Sequence, residues 1–306
     1  MEALLKQQMV LYIFIIAGVI LGKWRKDMAD KSGLLSFLIA NLLLPCKQFL
    51  SFSRNFTVDY LKNNYVTIFI AIGFLVLLVT AGGLIGKLLT RDKYQRKVYQ
   101  YSIAVANYAY FGYVLVENVL GEKAMNDMMV FCIPIAIYCY TFGVGLLMDR
   151  KPSFKSLFNP TTIAIVLGIT CGLTGFSLPG VVTTVASNAG AAVGPVSMLL
   201  VGLVLSGFSL KQLIPSWGSW GFCLFRLVVI PAAVFGICKG LSLVMTLPAS
   251  VYPSAVIMAS MPCGLNPVIY PKLIGKDCSL GAKLIPLTAI LSIITIPYWM
   301  KLLGLM

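Results

Sequence analysis

The sequence lacks histidine altogether and is poor in acidic side chains, with ten aspartates and glutamates against 24 lysines and arginines in 306 residues. Without histidine, most zinc, haem and serine–histidine chemistry is excluded. The eight cysteines include no CxxC pair, and all of them fall in or beside apolar runs. We therefore interpret the cysteines as small buried side chains rather than as a disulfide or metal framework, and we predict no cofactor.

Apolar residues dominate the chain: 59% of it is hydrophobic, 11% is charged, and the mean hydropathy is +0.91. This composition is far too apolar for a soluble domain and is typical of an all-α membrane protein that crosses the bilayer several times. Ten apolar runs are long enough for a bilayer core of about 30 Å, which takes about 20 residues. The predicted transmembrane segments are 4–23, 33–53, 64–89, 98–120, 126–148, 159–177, 181–208, 219–245, 250–271 and 281–304.

The distribution of basic residues predicts the orientation of the chain. Most of the 24 lysines and arginines lie in the loops after segments 1, 3, 5, 7 and 9 or within a few residues of them. The positive-inside rule places these loops in the cytoplasm and both termini outside the cell membrane. The first run is followed by Lys23, Arg25 and Lys26, an order typical of a membrane anchor rather than of a cleaved signal peptide. Topology thus explains the net charge of +14, and no nucleic-acid partner is needed.

An internal repeat is indicated by landmarks that recur at a spacing of about 150 residues. The pairs are Pro45 and Pro195, Gly112 and Asn266, and Pro134 and Pro286. A polar loop at 148–160 separates the two halves, which we define as residues 1–149 and 150–306. With five segments in each half, the second half enters the membrane upside down. Inverted repeats with interrupted helices at matching positions are typical of secondary transporters.

The ninth segment contains the stretch MPCGLNPVIY at 261–270, where Pro262 and Pro267 flank Gly264 and Asn266. A helix broken near the membrane midplane exposes N–H groups at the start of one half-helix, which attract anions. Its other half exposes carbonyl groups that can hold a cation or a hydrogen-bond donor. The alternative is that Pro267 only kinks a continuous helix. The cluster and its counterpart in the fourth segment favour a binding site.

Several stretches resemble the auxin efflux carrier family, the bacterial and plant carriers related to plant auxin exporters. They are LLLPCKQF (42–49), ANYAYFGYVLVENVLGEKA (106–124), GPVSMLLVGLVL (194–205), SMPCGLNPVIYPKLIGKD (260–277) and LSIITIPYW (291–299). The resemblance covers the whole chain in order. It implies ten helices in two inverted repeats, with broken helices 4 and 9 that cross, and elevator-type transport of a small organic anion. It further implies a scaffold of helices 1, 2, 6 and 7 with the capacity to form a homodimer.

The candidate site residues follow from the breaks and from this resemblance. For substrate binding they are Lys47, Asn107, Gly112, Tyr113, Cys263, Gly264, Asn266 and Pro267, and for helix breaks Pro45, Pro195 and Pro262. Asn107 and Asn266 could hold a carboxylate or, alternatively, cap freed backbone groups. Tyr113 stands where the family usually has a proline, so the first crossing is expected to bend on Gly112, with a tyrosine hydroxyl in the pocket.

Three charged residues inside the predicted segments have alternative interpretations. Lys47 draws an anion into the site, or snorkels to the outer face. Arg226 lies about two turns into segment 8, close to two tryptophans, which favours snorkelling to the membrane interface. Glu117 is the candidate for proton coupling. Uniport driven by the membrane potential, which supplies about 2.3 kcal/mol per charge at 100 mV, is the alternative to coupling.

Three other functions compete with this prediction. A sodium-coupled bile-acid-type organic anion symporter shares the ten-helix plan, but the sequence offers no clear acidic cation site. A membrane-embedded enzyme would need an aspartate-rich metal motif, a histidine-based site or paired intramembrane aspartates, which the sequence does not contain, so we predict that the protein is not an enzyme. A receptor that binds without transporting would show no flux in reconstituted vesicles.

Overall fold

The computed structural model describes residues 2–25, 27–28 and 31–305, and Lys26 of the first basic cluster lies outside them. All regular elements in the described residues are helical. In the first half they are α1 (Glu2–Trp24), α2 (Ser32–Asn55), α3 (Val58–Asn64), α4 (Val66–Leu89), α5 (Lys93–Ala104), α6 (Tyr113–Leu120) and α7 (Glu122–Leu147). In the second they are α8 (Pro160–Thr174), α9 (Gly180–Ser206), α10 (Trp217–Val244), α11 (Val251–Ser260), α12 (Asn266–Leu273) and α13 (Ser279–Leu302), with short helical turns at Phe154–Leu157 and Leu210–Leu213.

Seven of these helices are long and apolar enough to cross a membrane, namely α1, α2, α4, α7, α9, α10 and α13. Two shorter apolar helices, α8 and α11, accompany them. The chain is therefore an all-helical, multi-pass membrane protein. The count of ten spans in two inverted repeats, divided at residue 150, stays a prediction.

The fourth and ninth predicted segments are each divided into two helices. After α5 the chain is extended at Val105, and a wide π-helical turn at Tyr108–Gly112 leads into α6. After α11 the chain is extended at Met261, because the ring of Pro262 disfavours helical geometry in the residue before it. Helix α12 starts at Asn266 with Pro267 in its first turn, where a missing N–H costs no helical hydrogen bond.

Pro45 and Pro195, the other two predicted breaks, lie within helices and do not divide them. Pro45 follows a π-helical turn at Ile39–Leu43, and Pro195 follows a one-residue turn at Ala192. A proline has no N–H, so the carbonyl four residues earlier loses its partner, and a distortion one turn upstream accommodates that loss. These two prolines distort their helices, whereas Pro262 lies in an interruption.

The helices pack in two groups. In the first group α1 runs along α9, and α2 packs against α8 and α9; in the second, α4, α5 and α7 pack together and α11 packs against α7, α10 and α13. The contact of α1 with α9 depends on small residues, because a Cβ on Gly202 would lie 2.1 Å from the carbonyl oxygen of Ile15. Both interrupted segments belong to the second group, facing the first.

Candidate functional site: the crossing of the two interrupted segments

The two interruptions meet through their backbones. The N–H of Asn107 donates to the carbonyl oxygen of Pro262 at 2.8 Å, and Ala106 and Cys263 form an isolated antiparallel bridge. Buried backbone groups released from a helix need new partners, and here each interruption supplies partners to the other. The fourth and ninth predicted segments, about 150 residues apart, therefore cross where both lose their helical geometry.

Two helix starts converge on this crossing. The carbonyl of Asn107 accepts hydrogen bonds from the N–H groups of Phe111 and Gly112, at 3.3 and 3.0 Å, which begins the π-helical turn before α6. The carbonyl of Leu265 accepts from Val268 and Ile269 at the start of α12. The first N–H groups of a helix have no partner within it, and the helix dipole makes this end positive.

A cavity of about 140 Å³ lies against the crossing, on the side of α5 and α12. Three of the predicted site residues line it, Asn107, Gly264 and Asn266. The remaining lining is rich in hydroxyl and aromatic groups, and the described lining residues include no acidic side chain. It comprises Ser36, Ala40, Leu44, Tyr101, Val105, Ala106, Tyr108, Ala109, Tyr110, Cys139, Tyr140, Leu265, Ile269 and Tyr270.

The two asparagines are held differently. The amide nitrogen of Asn266 donates to the hydroxyl of Tyr101 at 2.5 Å and to the thiol of Cys139 at 3.5 Å, and Tyr101 and Cys139 are themselves 3.1 Å apart. Asn107 is 8% exposed, and its side-chain amide makes no hydrogen bond to the described residues. The Asn266 side chain is thus oriented by its neighbours. The Asn107 side-chain amide has no hydrogen-bond partner among the described residues and faces the cavity.

Four other predicted binding residues surround the crossing without lining the cavity. A Cβ on Gly112 would lie 2.9 Å from the Cε of Met128, so any larger residue here would have to displace the end of that methionine. The Tyr113 ring is buried 5.7 Å from that of Tyr108. The backbone N–H of Cys263 donates to Thr288 at 3.0 Å, and the Pro267 carbonyl packs on Gly281. Their part in substrate binding stays a prediction.

Lys47 and Glu117 form an ion pair away from this cavity. The side chain of Lys47 is 5% exposed, and its ammonium group contacts the carboxylate of Glu117. Both line a second cavity of about 360 Å³ between α2, α6, α7 and α9, together with Arg54 and Glu122. The sequence singled out both residues but gave no sign of the pairing, since they are far apart in the chain and lie in helices of different groups.

Arg226 corrects a prediction from the sequence. Its side chain is fully buried, at 0% exposure, and donates from Nη1 to the carbonyl of Ile103 at 2.9 Å and from Nε to that of Met261 at 3.2 Å. Snorkelling is therefore wrong for this residue, because the guanidinium points inward to the crossing. Trp217 does lie on the surface, at 92% exposure. The tryptophans therefore mark the surface of α10 but do not predict the direction in which the Arg226 side chain points.

The tyrosines and Cys139 of the cavity were missed by the sequence analysis. For Tyr101, Tyr108 and Tyr110 the one signal is the dense aromatic pattern of YSIAVANYAY at 101–110, which is equally compatible with a buried helix face. Cys139 lies in a π-helical turn at Cys139–Gly143, and such turns are frequent at functional sites, but the turn is not visible in the sequence.

The family model described as membrane transport protein matches residues 3–155 and, a second time, residues 146–300. A search of curated proteins found no match. The two matches together span nearly the whole chain and agree with the resemblance in the sequence motifs. The chain belongs to the membrane transport protein family of the auxin efflux carrier type, whose members are transporters.

Proposed function

We propose that the protein is a secondary transporter that moves a small organic anion, a carboxylate, across the cell membrane by elevator-type alternating access. The observation that carries this proposal is the Asn107–Pro262 hydrogen bond, which brings two interrupted helices together beside a cavity. Membership in a transporter family supports it. Two positive helix ends without an acidic side chain in the described lining favour an anion over a cation.

The carboxylate binds at the crossing in this proposal. The free amide of Asn107 donates to one carboxylate oxygen, and N–H groups at the start of the π-helical turn and of α12 supply the rest. Asn266, oriented by Tyr101, contacts the ligand from the opposite half of the chain. The tyrosine rings at 108, 110 and 270 surround the organic body of the substrate, as aromatic side chains do in many ligand pockets.

Alternating access follows from the two packing groups. We assign α1, α2, α8 and α9 to a fixed scaffold and the remaining long helices to a mobile group that carries the crossing, in a plan of ten spans and two inverted five-helix repeats. The cavity lies between the crossing and Ser36, Ala40 and Leu44 of α2, so that relative sliding of the groups would open and close it. The scaffold is also the surface through which we propose homodimer formation.

The cavity lies toward the end of the molecule that carries basic loops. The carboxylate of Asp149 pairs there with Lys97 of α5 and with Lys276, which follows α12. With that end in the cytoplasm and both termini outside, as the positive-inside rule predicts, this conformation opens inward.

Uptake into proteoliposomes tests the proposal. Purified protein is reconstituted and offered radiolabelled benzoate, indole-3-acetate and succinate, with tetraethylammonium as a cationic competitor. We expect saturable uptake of at least one carboxylate, competition among carboxylates and no effect of the amine. Binding without flux would favour a receptor, and inhibition by the amine alone would overturn the anion assignment.

A further inference from the structure

Arg226 lies behind the crossing, and its contacts are with helix ends rather than with a carboxylate. In a continuous helix the carbonyl of Ile103 would accept the N–H of Asn107, but that N–H bonds to Pro262 instead. Arg226 takes its place, donating to Ile103 at 2.9 Å. The second bond of Arg226 goes to the carbonyl of Met261, the residue that follows the C-terminal end of α11. The guanidinium thus holds the C-terminal ends of both half-helices.

The charges at this position match. Each helix C-terminus carries the equivalent of about −0.5 of an elementary charge, so the ends of α5 and α11 together present about −1. The guanidinium carries a fixed charge of +1 and presents its donors in a planar fork, which suits two carbonyl groups at once. Among the described residues no acidic side chain forms a salt bridge with Arg226. The helix ends are its counter-charge.

The carbonyl ends of interrupted helices in transporters are places where a coupling cation can bind. A fully buried arginine in that place leaves neither the carbonyl groups nor the negative potential that a cation would need. Arg226 Nη2 is buried without a partner in the described part of the chain. Because one guanidinium nitrogen has no partner, hydrogen bonding alone does not account for an arginine at this position. Its positive charge between two negative helix ends does.

We propose that Arg226 is the resident cation of the crossing: its guanidinium neutralises the C-terminal ends of α5 and α11, so transport at the adjacent cavity requires no bound sodium or other alkali cation. The statement about transport rests on the function proposed above. The neutralisation of the helix ends by Arg226 does not depend on that function, and thermal melts test it separately. Arg226 acts as a positioning residue, since it does not line the cavity.

Replacement of sodium tests the wild-type protein directly. Thermal melts in detergent are recorded in sodium chloride and in choline chloride at equal ionic strength, and benzoate, indole-3-acetate and succinate uptake is measured in the same two salts. We expect the same melting temperature and the same uptake in both. A sodium-specific rise in melting temperature, or uptake that needs sodium, would overturn the inference. Absence of any carboxylate uptake, with melts indifferent to sodium, would remove the proposed function and leave this inference standing.

Variants of Arg226 separate a charge role from mere packing. Arg226→Ala should lower the melting temperature by about 5 °C or more, because two hydrogen bonds from a charged donor are lost in a buried place. Sodium or potassium chloride should recover part of this loss, and choline chloride should not, since only a small cation can occupy the vacated carbonyl-lined space. Arg226→Lys, which keeps the charge, should have a melting temperature between those of the wild type and of Arg226→Ala.

Arg54→Ala is the matched control, because Arg54 is half-exposed and its ion pair with Glu122, at 3.6 Å, lies at the surface. It should shift the melting temperature little and without dependence on the cation. An Arg226→Ala protein as stable as the wild type, or a loss that no alkali cation alters, would overturn the inference. Where the alanine variant does not fold, the wild-type measurement decides alone.

Discussion

Lys47 of α2 and Glu117 of α6 form an ion pair that joins the two groups of helices. The ammonium group is almost completely buried and the carboxylate is about one-third exposed. The pair lies beside the second cavity, toward the end of the helices opposite to Asp149. A contact between a scaffold helix and a mobile helix must break or slide when the groups move, so we expect it to influence both stability and transport rate.

Glu117→Gln should destabilise this conformation, since it leaves the Lys47 ammonium buried without a counter-charge. We expect a loss of about 1–3 kcal/mol, less than for a fully buried pair because Glu117 is partly solvated. The double exchange Lys47→Glu with Glu117→Lys should recover part of the loss. Glu122→Gln, in a surface pair with Arg54, is the control and should cost about 0–1 kcal/mol. Melting curves of the four proteins measure these effects.

The same variants test the prediction that Glu117 carries protons. If the pair is only a contact between the groups, uptake by Glu117→Gln keeps the pH dependence of the wild type. Loss of that pH dependence with an unchanged melting temperature would instead support proton coupling through Glu117.

The contact of α1 with α9 gives a second prediction, on stability. Gly202→Ala places a methyl group 2.1 Å from the Ile15 carbonyl oxygen and 2.8 Å from the Cα of Gly18, so the helices must separate. We expect a loss of roughly 1–3 kcal/mol or more, the cost of overpacking a close contact. Gly73→Ala in α4 is the control, because its Cβ meets no atom within 4 Å. Equal melting temperatures for both variants would contradict this packing.

The sequence predicted the features of the site that depend on local chain geometry. Pro262, Pro267 and Gly264 cannot continue a helix together, so the ninth segment had to break there. The features that depend on long-range contact could not be predicted. Tyr101 meets Asn266 only because the segments cross, and Arg226 finds its two carbonyl partners on two other helices. The hydrophobic pattern of the sequence shows where such a residue lies within its apolar segment, but not which residues of other helices it contacts.

Acid should loosen the loops around Asp149. Hydrogen bonds from Lys276 and then Lys97 lower the pKa of Asp149 to about 2, below the value near 4 of an unpaired aspartate. Because the pKa is depressed in the folded state, the stabilisation is present above about pH 4 and is lost as the pH falls toward 2. The carboxylate is partly exposed, so the effect should be at most about 1 kcal/mol and weaker at high salt.

Asp149→Asn checks this assignment. Asp149 has a φ of 54°, in the left-handed region that asparagine also tolerates, so the backbone should be preserved. The variant should melt below the wild type at neutral pH and together with it near pH 2. A constant difference across this range would mean that Asp149 acts through something other than its charge.

Topology is tested by accessibility of single cysteines. With Ala3→Cys, Leu305→Cys and Lys155→Cys, an impermeant maleimide applied to intact cells should label the first two and should label position 155 only after lysis. The wild type, with eight free cysteines of which five are buried, is labelled in parallel as background. Termini that label only after lysis would overturn the orientation and, with it, the inward-facing assignment of the cavity.

The last prediction concerns the two asparagines of the crossing. Asn107→Ala should weaken carboxylate binding by about 1–3 kcal/mol with little change in melting temperature, since the amide has no partner in the described protein but would pair with the ligand. Asn266→Ala should lower both the carboxylate affinity and the melting temperature, because its bond to Tyr101 is also lost. The double variant should lose less than the sum of the affinity changes, as residues that share one ligand couple by about 0.5–3 kcal/mol. Asn118→Ala, in the other cavity, should leave affinity unchanged. Calorimetric titration with the best transported carboxylate gives the affinities, and unchanged values in all three crossing variants would place the substrate elsewhere.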